Sequence, residues 1–191
     1  MISSYYKKES IPNTIDGEYI LFRVALLEYL ETKDYIKGIE IGVYNGNTSA
    51  YLLSLSNKIY LTGVDPLIPD SMERSMIGSE QIINNNIAPY KERWKFIKDF
   101  SYNVVSTVPD DSLDFIFIDG SHHYLDVKKD WNDYFSKIKS NGLIFMHDSR
   151  MNRGGAPFHV GSSKFTDEVI ADNKKVKVIG EAFSLTCFKK I

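Results

Sequence analysis

The stretch "DFIFIDGSHHY", residues 114 to 124, decides how the chain is read. Its four consecutive apolar residues, Phe115 to Ile118, suggest a strand buried on both faces, as in a parallel sheet. The run stops at Asp119, and a glycine, a serine and the pair His122–His123 follow at once. Working outward, "GIEIG" (38 to 42), "KIYLTGVD" (58 to 65) and "WKFIKD" (94 to 99) read as earlier strands. "NGLIFMHD" (141 to 148) reads as a fifth, entered through a turn at Asn141 and Gly142.

Segments with helical spacing alternate with these strands. They are 17 to 32, 48 to 55 with Asn47 or Thr48 as N-cap, a short helix within 81 to 90, and a weak helix and turn over 101 to 111. The clearest is 124 to 139, where Tyr124, Val127, Trp131, Tyr134, Phe135 and Ile138 fall on one stripe. A last helix covers 164 to 172, and residues 175 to 190 supply two final strands as an antiparallel pair. The alternation predicts an α/β fold. It is a doubly wound, Rossmann-like, mostly parallel sheet of about seven strands with a C-terminal antiparallel hairpin and helices on both faces. Residues 1 to 35 form an arm and helix of the same domain, and 36 to 191 carry the sheet.

Right-handed crossovers put every parallel strand's C-terminal end on one rim, where ligands of such sheets bind. The acids expected there are Glu40, Asp65, Asp99, Asp119 and Asp148. The turn "EIGVYNGNTS" (40 to 49) has glycines at 42 and 46, which let backbone approach a ligand, but Tyr44 stands where a dinucleotide G-x-G-x-x-G needs glycine. Asp65, about 20 residues beyond that turn, is placed to accept hydrogen bonds from a ribose diol. Asp119 and Asp148, ending neighbouring strands, together with His122 and His147 suit either a divalent cation or an oriented imidazole base. His123 and Tyr124, which begin a helix, read as structural. The loop from Ser149 to Ser163, with Arg150, Arg153, Gly154, Gly155 and His159, reads as a basic segment able to close over a substrate. Tyr44 and Phe100 sit in rim turns, where they can pack on a ligand ring.

Composition narrows the classes. The chain has 191 residues, 43% hydrophobic and 25% charged, as in a globular protein. A net charge of −2 leaves no basic footprint for nucleic acid. Cys187 is the single cysteine, which excludes an intramolecular disulfide and a cysteine-built zinc site. "MISSYYKKES" lacks the apolar core of a signal peptide, and no apolar stretch is long enough to span a bilayer, so a cytoplasmic address without membrane association is expected.

With these residues in hand, the chain resembles the class I S-adenosylmethionine-dependent methyltransferases. It looks most like a small bacterial branch with an "IDGSHxY…D…L…GGxIxxHD" pattern, and Ser140-Asn141-Gly142 here replaces the double-glycine turn. The resemblance covers residues 36 to 190. It implies that Glu40, Gly42, Tyr44, Asn45, Gly46 and Ser49 hold the methionine and ribose parts of S-adenosyl-L-methionine. It implies that Asp65 and Pro66 lie at the ribose, that Phe100 and Ser101 border the adenine, and that Asp119 closes the site. Similarity to catechol-type O-methyltransferases implies Mg²⁺ or another divalent cation on Asp119 and Asp148, with Ser149 where that family has Asn. It also puts His122 in place of a general-base lysine. The expected activity is O-methylation of a small hydroxylated acceptor, a sugar or secondary metabolite, with Asp119, His122, His147 and Asp148 as the catalytic set. N-methylation stays open, as does a homodimer. The rivals are a non-catalytic cofactor-binding regulatory module and a nucleotide-sugar or dinucleotide enzyme on a similar sheet.

Overall fold

The computed structural model describes residues 11–69, 77–150 and 159–191. Seven strands form one sheet: β1 (Ile36–Ile41), β2 (Ile59–Val64), β3 (Trp94–Ile97), β4 (Leu113–Ile118), β5 (Ile138–Met146), β6 (Val176–Ala182) and β7 (Leu185–Lys190). Their order is β3-β2-β1-β4-β5-β7-β6. The first five run parallel, and β7 is antiparallel to both β5 and β6. The helices are α1 (Ile15–Leu30), α2 (Asn47–Ser54), α3 (Glu80–Ile87), α4 (Ser101–Val104), α5 (Tyr124–Phe135) and α6 (Val160–Asp172). The strand order reverses between β1 and β4, which opens a crevice at their C-terminal ends.

The apolar run of β4 divides between two cores, because successive side chains point to opposite faces. Phe115 and Phe117 pack with Leu21, Phe22 and Leu26 of α1 and with Leu52 of α2. Ile116 and Ile118 pack with Val127 and Tyr134 of α5 and Phe165 of α6. Each such buried side chain contributes about 1.5–3 kcal/mol, so burial on both faces pins the register of the central strand. β4 also carries a buried acid at its other end. Asp114 accepts bonds from Lys37 N (2.9 Å) and Lys139 Nζ (3.0 Å), and its role there is structural.

Several element boundaries differ from the sequence reading. The helix expected over 124 to 139 ends at Phe135, and Ile138 begins β5, where it pairs with Leu113. Asn141 and Gly142 do not precede the strand but form an irregularity within it, with Asn141 at φ 64° and a register shift between Leu113 and Phe115. Ile138 satisfies both periodicities, and the strand pairing wins. α6 starts at Val160, four residues earlier than expected, so the preceding connection is shorter. Gly46 rather than Asn47 or Thr48 caps α2, since its φ of 76° suits glycine and no side chain bonds the helix end. Among the described residues no helix is long and apolar enough to cross a membrane.

Candidate functional site

A cleft of about 690 Å³ runs along the C-terminal rim and joins two different groups of residues. The first is the β1–α2 turn. Gly42 has φ 86°, and a Cβ there would lie 2.1 Å from the Asp119 carbonyl oxygen, so the position requires glycine. The Asp65 carboxylate holds the turn in place. Its Oδ2 accepts from Val43 N and Tyr44 N, both at 2.8 Å, and its Oδ1 accepts from Leu67 N at 2.7 Å. Those bonds stabilise Tyr44 in the left-handed region, at φ 53°. Asn45 ties the turn to α3, its Oδ1 accepting from Ser79 N (3.0 Å) and its carbonyl from Asn86 Nδ2 (2.9 Å). Pro66 lines the cleft beside Asp65.

Glu40 lies at the floor of this half, buried, and accepts from Ser49 Oγ. Burial pushes its carboxyl up to about 8; the Asp119 and Asp65 charges add to the rise and the Ser49 bond opposes it. Near neutrality Glu40 is therefore protonated. Gly46 and Ser49 stand behind the wall of the cleft and shape it without lining it. Phe100 is 38% exposed and stacks on Tyr102, with ring centroids 5.1 Å apart, which gives a flat apolar shoulder. Ser101 donates to Asp130, a buried acid of α5 that burial lifts to about 6 against the opposing Ser101 bond. Asp99, expected on the rim, instead accepts from Phe100 N (2.7 Å) and Asn103 Nδ2 (2.8 Å), a local brace for α4 outside the cleft.

The second group follows β4 and β5. Ile118 pairs with Met146, which sets Asp119 beside His147. The His147 Nδ1 lies 3.1 Å from Asp119 Oδ1 and 3.2 Å from Asp148 Oδ2, and its Nε2 lies 3.3 Å from Glu18 Oε2. Burial works against charge on this ring, but Asp119, with the bonds from Asp148 and Glu18, holds its pKa well above the usual histidine value. His147 thus faces three acidic groups, of which Asp119 is itself shifted upward by burial against the opposing pull of His147. Asp148 adopts φ 49°, a non-glycine left-handed residue of the kind that costs of order 1–3 kcal/mol and concentrates at functional sites. That turn points its carboxylate at three rings. Oδ2 meets His122 Nε2 (2.9 Å) as well as His147, and Oδ1 meets His159 Nδ1 (2.9 Å). Burial would raise the Asp148 pKa, but the His122 and His147 bonds outweigh it and hold it far below the usual range.

His159 arrives here because α6 packs its start against the chain after β4. A Cβ at Gly161 would lie 2.2 Å from the His122 carbonyl oxygen, so only glycine permits this approach. The His122 and His159 rings sit 4.4 Å apart. Burial, then the neighbouring His122 and His147 charges, lower the His159 pKa against the pull of Asp148. His123 stands at the N-cap position of α5, with no side-chain hydrogen bond to the helix end.

The structure therefore assembles Asp119, His122, His147 and Asp148 in one cluster and puts Glu40, Gly42, Tyr44, Asn45, Asp65, Pro66, Phe100 and Ser101 along the same cleft. Ser149 does not join them. It is buried, and its Oγ donates to the Ser184 carbonyl (2.6 Å) and lies 2.7 Å from Thr186 Oγ1. Arg150 turns away from the cleft to Asp167 and Glu181. Arg153, Gly154 and Gly155 lie outside the described residues. Two contributors were not in the sequence-derived set. His159 was assigned only to a closing loop. Glu18 of α1 is 5% exposed, accepts from Ser184 N (2.8 Å) and Ser184 Oγ (2.6 Å), and braces His147; the sole hint is an acid at the start of a long apolar run.

Comparisons with known proteins agree with this fold. Residues 39–149 match a family model described as a methyltransferase domain. An uncharacterized protein of Acanthamoeba polyphaga mimivirus is 26% identical over 156 residues, which cover 76% of this chain and 67% of that protein. The fold is similar to a putative caffeoyl-CoA O-methyltransferase from Staphylococcus aureus, with TM-score 0.65 and 18% identity over 96% of this chain and 87% of that one. It is also similar to MycE, a methyltransferase of the mycinamycin biosynthetic pathway solved with Mg, SAH and mycinamycin VI. There the TM-score is 0.61 and the identity 14%, over 90% of this chain and 48% of that one.

Proposed function

This chain belongs to the methyltransferase-domain family, and from that premise we propose that it is an S-adenosylmethionine-dependent O-methyltransferase of a small hydroxylated acceptor. The observation that carries the reading is one cleft with two unlike ends. One is a backbone cradle tied by Asp65, and the other is a His122–Asp148 pair 2.9 Å apart. S-adenosylmethionine, when bound, supplies an electrophilic methyl group on a sulfonium.

The residues present fit that cofactor. The cradle at Gly42 admits close backbone approach, and Asp65 keeps one lone pair, on Oδ1, beyond the three N–H groups it already accepts, enough for one ribose hydroxyl. Glu40, buried at the floor, is the acid for an ammonium group, and the Phe100–Tyr102 shoulder offers a stacking face for a purine.

At the other end His122 is the proton acceptor. Its Nε2 faces the Asp148 carboxylate and so carries the proton there, which makes Nδ1 the basic nitrogen of the ring. His147, surrounded by Asp119, Asp148 and Glu18, holds its proton more tightly than an ordinary histidine and is the less suited of the two rings to take one up. Catalysis comes mainly from holding the acceptor oxygen in line, with the base contributing about 10²–10⁴-fold.

Calorimetry with S-adenosylmethionine and S-adenosylhomocysteine tests the reading, and saturable binding of both is expected. Absence of binding by either at millimolar ligand would remove the cofactor and the activity together.

A further inference from the structure

We propose that His122, Asp148 and His159 form a binding site for a late first-row transition ion, of the Zn²⁺ or Co²⁺ class, rather than for Mg²⁺. A donor atom from each residue, two imidazole nitrogens and a carboxylate oxygen, lies within 4.8 Å of the others. Both imidazole nitrogens already stand 2.9 Å from Asp148, each on a different oxygen. Tetrahedral ligands around an ion with bonds of about 2.1 Å are about 3.4 Å apart, so the carboxylate–imidazole spacings need to open by only about 0.5 Å on loading.

The chemistry of the donors sets the choice of ion. Mg²⁺ asks for near-octahedral oxygen ligands. The oxygen-rich alternative here is interrupted: the His147 ring lies between Asp119 and Asp148, and Ser149 faces away into the β6–β7 turn. Nitrogen-rich sets with one carboxylate instead suit zinc, cobalt, nickel or iron. The three ligands also come from separate elements that packing alone brings together. His122 follows β4, Asp148 follows β5, and His159 sits at the start of α6, whose approach depends on Gly161. None of the three side chains is more than 14% exposed, so a bound ion would be largely enclosed.

Loading uses the same Nε2 that Asp148 now orients. The ion and the proton-accepting state of His122 are therefore alternatives, and a tightly bound ion inhibits methyl transfer. The site itself rests on geometry and does not require the methyltransferase reading to hold.

The experiment is a Co²⁺ titration of untagged, chelator-stripped protein, followed by visible ligand-field absorption and by calorimetry. The expected result is one Co²⁺ per chain, displaced by equimolar Zn²⁺ and not by a hundredfold excess of Mg²⁺. His159→Gln should weaken Co²⁺ at least tenfold while S-adenosylhomocysteine affinity stays within about threefold. No Co²⁺ binding, displacement by Mg²⁺, or unchanged affinity in His159→Gln overturns the proposal. S-adenosylhomocysteine titrated into the same stripped protein separates the two readings. Its binding without cobalt binding refutes the metal site alone, and cobalt binding without it refutes the proposed activity alone.

Discussion

Asp65 and Asp148 end strands on the same rim, yet they are used in opposite ways. Asp65 spends its carboxylate on backbone, holding three N–H groups of Val43, Tyr44 and Leu67. Asp148 spends its carboxylate on side chains, meeting the rings of His122, His147 and His159. The first arrangement builds a surface and fixes its shape. The second sets protonation, because each contact fixes which ring nitrogen carries a proton. One end of the cleft is thus preformed for binding and the other is poised for proton movement, a division that substitution at the two acids can break.

The largest effect should come from Asp148→Asn. It keeps the shape of the side chain but removes the charge that orients His122, so turnover in chelator-treated protein should fall about 10²–10⁴-fold. S-adenosylhomocysteine affinity should stay within about threefold. His122→Ala should lose a similar amount, and the double variant should lose no more than the worse single one, since groups acting as a unit are not additive. Additive losses in a single-turnover assay would show that the two residues do not form one device.

Asp65→Ala should do the reverse and on a smaller scale. Three backbone N–H groups lose their acceptor, at a cost of about 1–3 kcal/mol for those left buried and unpaired. The cradle loosens with them, and S-adenosylhomocysteine affinity should fall about 10–100-fold. The maximal rate at saturating cofactor should change little. A variant that binds normally, measured by calorimetry, would mean that the turn is shaped by something other than Asp65.

The two ends also differ in how legible they were in the sequence. The cradle is local: glycines, strand and acid lie within 26 residues, from Glu40 to Asp65, and the spacing carries the meaning. The sheet was legible for a similar reason, because an apolar run such as Phe115 to Ile118 has few places to go. The cluster around Asp148 depends on distant packing. Glu18 reaches His147 across 129 positions of sequence. Nothing in its surroundings separates it from a surface acid of an amphipathic helix. His159 was visible as a residue but not as a neighbour, since its place follows from a glycine, Gly161, whose missing side chain lets α6 approach His122. Asp99 shows the converse, an acid with the right position along the chain that is consumed by a local turn. Strand ends can be read from pattern, but what a side chain does there depends on which groups arrive from elsewhere.

The smallest effect is a pH linkage at Glu40, and it sharpens the contrast because this acid belongs to the binding end yet titrates. Burial lifts its carboxyl from the ordinary 4.5 to about 8, so it is neutral in the ligand-free protein at pH 7. An ammonium ligand favours the ionised form, and binding at pH 7 must therefore release part of a proton. Calorimetry at pH 7 in two buffers of different ionisation enthalpy should detect that release for S-adenosylhomocysteine. Affinity should rise by less than about tenfold between pH 7 and 8, as ionisation ceases to be charged to the ligand. Stability of the ligand-free protein should move the other way. The folded state binds the Glu40 proton more tightly than the unfolded chain does, so its contribution is full below about 4.5 and declines as pH rises through 8. Glu40→Gln should flatten both trends. An affinity that still climbs with pH in that variant would assign the linkage to another group, and Asp130, lifted to about 6 beside Ser101, would titrate too early to account for it.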